Sequence, residues 1–145
     1  MAEVEAGANR LAQVILGASH LAQAVIPTLL SPTTPGMMEW KQNLRATLER
    51  QARFLCESLT HCHGLEVMPS QGAMYAIVKI DTTVLDIQDD LDFTKKLLEE
   101  ENVFVLPGSA FGVPNVFRVV FCSPERVLGI AAHRIADFCH RHALV

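Results

Sequence analysis

One arginine stands alone in an apolar run. Val116-Phe117-Arg118-Val119-Val120-Phe121 sets a guanidinium among β-branched and aromatic side chains. Strand alternation puts Phe117, Val119 and Phe121 on one face and Val116, Arg118 and Val120 on the other. A guanidinium is costly to bury without a partner, and its planar fork matches a carboxylate with two parallel hydrogen bonds. Arg118 therefore pairs with an internal acid, receives an anionic ligand, or lies on an exposed face with its stem snorkelling past the rim. The preceding Leu106-Pro107-Gly108-Ser109-Ala110-Phe111-Gly112 is a glycine-containing turn that leads through Val113-Pro114-Asn115 into the arginine strand. Backbone can approach a ligand closely at such a turn, which favours the ligand reading.

The other reactive side chains carry less. His61-Cys62-His63 has the residue types of a metal cluster, but it falls at a helix end where adjacent residues diverge, so a capping or dipole role is expected. His133, His140 and His142 cannot all face one ion from a single helix, and they read as a solvated helix end. Cys122 precedes a helix N-terminus, where a thiolate is favoured, yet a buried and inert thiol is the expected state. No Ser, Thr or Cys lies in a local nucleophile motif, and neither GxGxxG nor a Walker sequence occurs. No catalytic residue, metal ligand or cofactor-binding residue is assigned from these patterns.

The elements that must hold these groups follow from periodicity. Leu11, Val14, Ile15, Ala18, Ala22, Val25 and Leu29 predict a helix covered by protein nearly all round. Thr34 and Pro35 then read as N-cap and first residue of a long amphipathic helix carrying Trp40, Leu44, Leu48, Ala52, Leu55 and Leu59 inward, with Gly64 as its left-handed stop. Leu65–Val67 predicts a short strand, 69–72 a turn, and Ala73–Ile80 a central strand. Asp89 and Asp90 cap a helix through Glu100 with Phe93, Leu97 and Leu98 inward, and Val103–Leu106 reads as a further strand. After the Val116–Phe121 strand, Ser123-Pro124-Glu125 opens a helix with Val127, Leu128, Ala131, Ile135, Phe138 and Cys139 inward. This order implies an α/β chain of the α+β type, with helices packed against one sheet of about four strands.

Composition narrows the function classes. The chain has 145 residues, 50% hydrophobic and 19% charged, with 12 basic against 16 acidic side chains. A half-apolar chain of this length can form a core, which disfavours disorder. No basic cluster offers phosphate neutralisation, so no nucleic-acid partner is expected. The charge-free stretch from Leu11 to Met38 is long enough to span a bilayer. Its Gln13, Ser19, His20 and Gln23 and the helix-breaking Pro27 argue against a membrane partner. Cys56, Cys62, Cys122 and Cys139 form no CxxC pair, and MAEVEAGANR carries no basic leader, so a reducing, cytoplasmic location is expected.

Three stretches taken together carry a family resemblance: Ser70-Gln71-Gly72-Ala73-Met74-Tyr75, then Val103 to Phe111 with its Leu-Pro-Gly-Ser-Ala-Phe, then Asn115-Val116-Phe117-Arg118-Val119-Val120. In order and spacing the chain resembles the C-terminal part of class I, fold-type I aminotransferases dependent on pyridoxal 5'-phosphate, most closely those acting on aromatic amino acids. Arg10–Gly17 resembles the segment just after their cofactor-binding stretch. The resemblance implies residues 1–35 as a large-domain helix with linker and 36–145 as the small C-terminal domain. It implies that Arg118 holds the α-carboxylate of an amino-acid or 2-oxo-acid substrate, with Tyr75 beside it, packing first and touching substrate second.

The same resemblance implies what is missing. The family's Schiff-base lysine, phosphate cradle and pyridine-pairing aspartate precede the matched region, and Lys41, Lys79, Lys95 and Lys96 have no comparable context. This chain alone is thus expected to be inactive as a transaminase and to bind no cofactor tightly. It would be a truncated chain, a natural fragment or the product of a degenerate gene; its charge-free first helix, which in the family packs inside the large domain near the dimer interface, would expose an apolar patch here and favour self-association. The alternative is a standalone interaction or small-anion-binding module without chemistry.

Overall fold

The computed structural model describes residues 2–14 and 17–144. The chain divides into two compact units, Met1–Asn43 and Leu44–Val145. In the first, the expected single covered helix is replaced by α1 (Ala2–Ala12) and α2 (His20–Leu30), neither with a buried residue; Leu21 is 79% exposed. Ile15 and Leu16, which the expected helix also used, lie outside the described residues. Ser19 ends the break: its carbonyl accepts the Gln23 N–H at 3.0 Å and starts α2. Pro27 sits inside α2, which continues past it to Leu30.

The expected Thr34 N-cap is also replaced. Thr34 turns its hydroxyl back to the Thr28 carbonyl, and Gly36, at φ +75°, makes the turn that precedes α3 (Met37–Leu59). The Gly36 carbonyl accepts the Trp40 N–H at 2.9 Å, the first bond of the helix. A left-handed residue is cheap only where no Cβ opposes it, so the glycine, not the threonine, sets the helix start.

The second unit is built on a four-stranded antiparallel sheet in the order β1-β2-β4-β3, with β1 Leu65–Met68, β2 Tyr75–Ile80, β3 Leu106–Pro107 and β4 Val116–Val120. The sheet agrees with the expected class and strand number. β2 pairs in register Leu65↔Ile80 to β1 and Ile77↔Arg118 to β4, so it is central as its apolar run predicts. It starts at Tyr75 rather than Ala73, because Ala73 holds φ +60°. The expected Val103–Leu106 strand shrinks to two residues at the sheet edge; Val103 and Val105 are buried without joining the ladder. Pro107, which has no N–H to donate, is tolerated there.

One face of the sheet is closed. Ala76, Val78, Phe117 and Val119 meet Leu55 and Leu59 of α3, Phe93 and Leu97 of α4 (Asp90–Glu101), and Leu128, Ile135 and Phe138 of α5 (Glu125–Arg141), all buried in one cluster. Phe93 stacks on Phe117 with centroids 5.1 Å apart and meets the Phe138 edge at 5.2 Å. Leu98 and Val127, expected inward, are 43% and 42% exposed. Among the described residues, no helix is long and apolar enough to cross a membrane.

The aromatic cluster makes a direct expectation. Phe138→Ala should destabilise this unit by about 3–5 kcal/mol through lost burial and a residual cavity. Phe104, 74% exposed on the neighbouring segment, should tolerate alanine within about 0.5 kcal/mol. Urea unfolding of the two variants checks the contrast.

Candidate functional site

The opposite face of the sheet is open, and Arg118 stands on it. Antiparallel register sets Arg118 opposite Ile77 on one side and Leu106 on the other, and places Tyr75 two positions along β2, opposite Val120. Side chains at such diagonal positions share a face and are within reach of one another. The guanidinium carbon of Arg118 lies 4.8 Å from the Tyr75 ring centroid and 5.7 Å from that of Phe111. Both rings are partly exposed, at 41% and 39%. The structure thus brings the two expected residues together.

Arg118 takes part in none of the ion pairs among the described residues. An internal acid as its partner is therefore ruled out within them. Nor, among the described residues, is a buried polar side-chain atom left without a hydrogen bond. The half-buried guanidinium is accordingly stacked on carbon and still has N–H groups to offer. Stacking fixes its plane and contributes on the order of 0.5–1 kcal/mol per exposed contact, leaving the fork for a carboxylate.

Residue pattern alone does not mark Phe111 as part of the site; it reaches Arg118 because of how its turn is held. Gly108 opens a tight helical turn, Gly108–Phe111, and a Cβ there would stand 2.1 Å from the Val113 carbonyl oxygen and 2.3 Å from Val116 Cγ2. Only glycine lets these backbones approach, and the Val113 N–H bonds the Gly108 carbonyl at 3.0 Å. Gly112, at φ +80°, ends the turn.

The two acidic residues ahead of α4 separate in role. Asp89 is the N-cap, its carboxylate accepting the Asp92 N–H at 2.8 Å. Asp90, only 2% exposed, reaches across to the turn: Oδ2 accepts the Ser109 N–H at 2.8 Å and Oδ1 the Asn115 N–H at 3.0 Å. Burial pushes its carboxyl up, but these hydrogen bonds outweigh that and hold it below the ordinary aspartate value. The sequence signal was a second aspartate where one suffices for capping.

The remaining groups disperse. His63 and His61 gather no metal site, and no cluster of three metal-ligating side chains occurs among the described residues. His142 is not the solvated residue expected: its ring lies 4.4 Å from Phe138 and its Nε2 is 2.9 Å from Glu100. His133 pairs with Asp137 at 3.4 Å. Cys122 is exposed rather than buried, while Cys139 is buried and its thiol is pushed up to about 12, by burial first and by Cys62 second.

A Schiff-base lysine must be neutral to attack a carbonyl, which calls for desolvation or a cationic neighbour. The lysines of the Leu44–Val145 unit have the reverse. Lys79 bonds Glu66 at 3.0 Å, Lys95 faces Glu99 at 4.0 Å, and Lys96 bonds Asp92 at 2.9 Å, which raises its pKa. These residues do not fit a pyridoxal cofactor's imine.

A family model described as "Aminotransferase class I and II" matches residues 1–135. The chain is 42% identical over 137 residues to the tyrosine aminotransferase of Dictyostelium discoideum, covering 94% of this chain and 33% of that protein. Its structure resembles that of the tyrosine aminotransferase from Leishmania infantum at 35% identity and a TM-score of 0.80, covering 93% of this chain and 33% of that one. It also resembles the alanine aminotransferase from Pyrococcus furiosus at 26% identity and a TM-score of 0.77, covering 97% and 35%. The chain therefore spans about a third of the length of the curated relatives it matches.

Asp81, Asp90, Asp92 and Glu100 all have carboxyls held below their ordinary values. Groups with depressed folded pKa values add stability above their unfolded pKa and lose it as pH falls through the folded one. The urea midpoint of the Leu44–Val145 unit should hold from pH 7 to about 5 and then fall steadily toward pH 2. A midpoint that rises on acidification would contradict this set of bonds.

Proposed function

The chain belongs to the class I and II aminotransferase family, and on that premise we propose that it is the C-terminal domain of a tyrosine-type aminotransferase. Its reaction would be amino-group transfer from an aromatic amino acid to a 2-oxo acid. Arg118 receives the substrate carboxylate. One observation carries this reading: a guanidinium without an acidic partner among the described residues, its carbon 4.8 Å from the Tyr75 ring centroid and 5.7 Å from that of Phe111, on the open face of a sheet. A carboxylate seated there gains two charge-assisted hydrogen bonds from a donor whose orientation is already restricted. Tyr75 acts first as the surface on which the guanidinium rests and second as a contact for the substrate.

The family's pyridoxal phosphate supplies the electron sink in the intact enzyme. The paired lysines of this chain support the reading that the imine is built elsewhere and that the chain alone is inactive. Leu21, Val25, Ile26, Leu29 and Leu30 are exposed along α2, which supports burial of that helix in the intact protein or in a homo-oligomer. The four free thiols fit a cytoplasmic location.

Two measurements test the reading. Titration with 3-(4-hydroxyphenyl)propionate, followed on the Arg118 Nε–H resonance, should saturate with a Kd on the order of millimolar. Arg118→Lys, which keeps the charge but not the fork, should weaken binding about tenfold or more when both proteins are titrated by calorimetry; equal binding by that variant would remove Arg118 from the site. Incubation with pyridoxal phosphate, borohydride trapping and mass analysis should yield no stoichiometric adduct. A single modified lysine, such as Lys79, would mean that the chain completes a cofactor site by itself.

A further inference from the structure

The turn beside Arg118 is tied down from outside the sheet. Ser109 and Asn115 are the ends of a seven-residue segment, and both of their N–H groups end on the one carboxylate of Asp90. Between them lies Phe111, whose ring faces the Arg118 guanidinium at 5.7 Å. Asn115 adopts φ +56°, a strained geometry for a residue with a Cβ, and it is the last residue before β4. No other side chain among the described residues bonds these two amides.

We propose that Asp90 is a positioning residue for the carboxylate site: it clamps the 109–115 turn so that Phe111 stays stacked on Arg118 and the fork keeps one plane. The proposal rests on the reading of Arg118 as the carboxylate binder, and extends it to a residue that touches neither substrate nor guanidinium. The chemistry suits the task. An ionised carboxylate offers acceptors on both oxygens at once, and α4 adds its partial positive N-terminal charge to hold the ionised form. An asparagine in its place offers one acceptor oxygen, and its amide would set a donor against the second N–H. An unsatisfied buried amide is unfavourable, so the turn should release one end. With that end free, Phe111 leaves the guanidinium, and Arg118 must be ordered at the moment of binding rather than beforehand.

The test uses the whole 145-residue chain and the same probe, 3-(4-hydroxyphenyl)propionate. Three variants are compared: Asp90→Asn, Phe111→Leu, and the two combined. In Asp90→Asn the Arg118 Nε–H resonance should lose the ring-current shift that Phe111 imposes, and Kd should rise about five- to tenfold well below the unfolding temperature. Phe111→Leu should reproduce both changes with the clamp intact. Adding Asp90→Asn to Phe111→Leu should then change Kd no further, because the effect runs through the ring.

A lowered unfolding midpoint with Kd and the Arg118 resonance unchanged would make Asp90 a structural residue and overturn the proposal; so would additive effects in the double variant. Amide exchange of the unaltered chain gives an independent reading that no folding defect can obscure. Slow exchange at both Ser109 and Asn115 supports the clamp, and rapid exchange at either one refutes it. If the unaltered chain binds no carboxylate, the assignment of Arg118 as binder fails. The ring-current comparison still decides whether Asp90 holds Phe111 on the guanidinium.

Discussion

A carboxylate with 2% exposure at the first turn of α4 joins parts of the chain that secondary structure alone would leave apart. Asp90 belongs to a helix, the turn it holds belongs to the sheet edge, and the strand that follows carries the arginine. Its burial is tolerated because both oxygens are engaged by backbone N–H groups and because the helix N-terminus favours negative charge. The turn combines a glycine with no room for a Cβ, a left-handed asparagine, and a two-residue edge strand. With Asp90 as anchor, the start of β4 and the height of Phe111 above the sheet are set together.

The sheet then serves two purposes on its two faces. Phe117 and Val119 point into the cluster of Phe93, Phe138, Leu97 and Ile135, which supplies the burial that holds helices and sheet together. Arg118, between them in sequence, must point the other way. Because strand periodicity is two, the packing of its neighbours dictates the direction of the guanidinium, and a one-residue slip in register would drive it into the core. The packing of the aromatic core thereby fixes the direction of a residue on the opposite face. Charge pairs at the rim, such as Arg50 with Glu125 at 2.8 Å, are exposed and add little to this.

Much of this was legible in the amino-acid order. The alternation around Arg118 announced both the strand and the separate face, and the Phe93, Leu97 and Phe138 spacing identified the buried stripes of α4 and α5. What periodicity could not resolve were the places where backbone conformation overrides it. The glycine start of α3 and the late start of β2 after Ala73 both depend on single residues with positive φ, and α2 starts where Ser19 leaves the helical conformation. The exposure of Leu98, Val127 and α2 had a different cause, since apolar character alone does not say whether a neighbour is present to cover it.

The sequence by itself determined the class of the fold, the existence of one isolated guanidinium on an apolar strand, and a family resemblance that the comparisons support. Local patterns suffice for these because hydrophobic period and side-chain type are properties of neighbouring residues. Only the tertiary structure decided that no described acid pairs with Arg118, that Phe111 joins Tyr75 in stacking on it, and that Asp90 rather than a second cap holds the turn between them. Those relations link residues dozens of positions apart, and their geometry comes from strand register and from how α4 lies against the sheet edge.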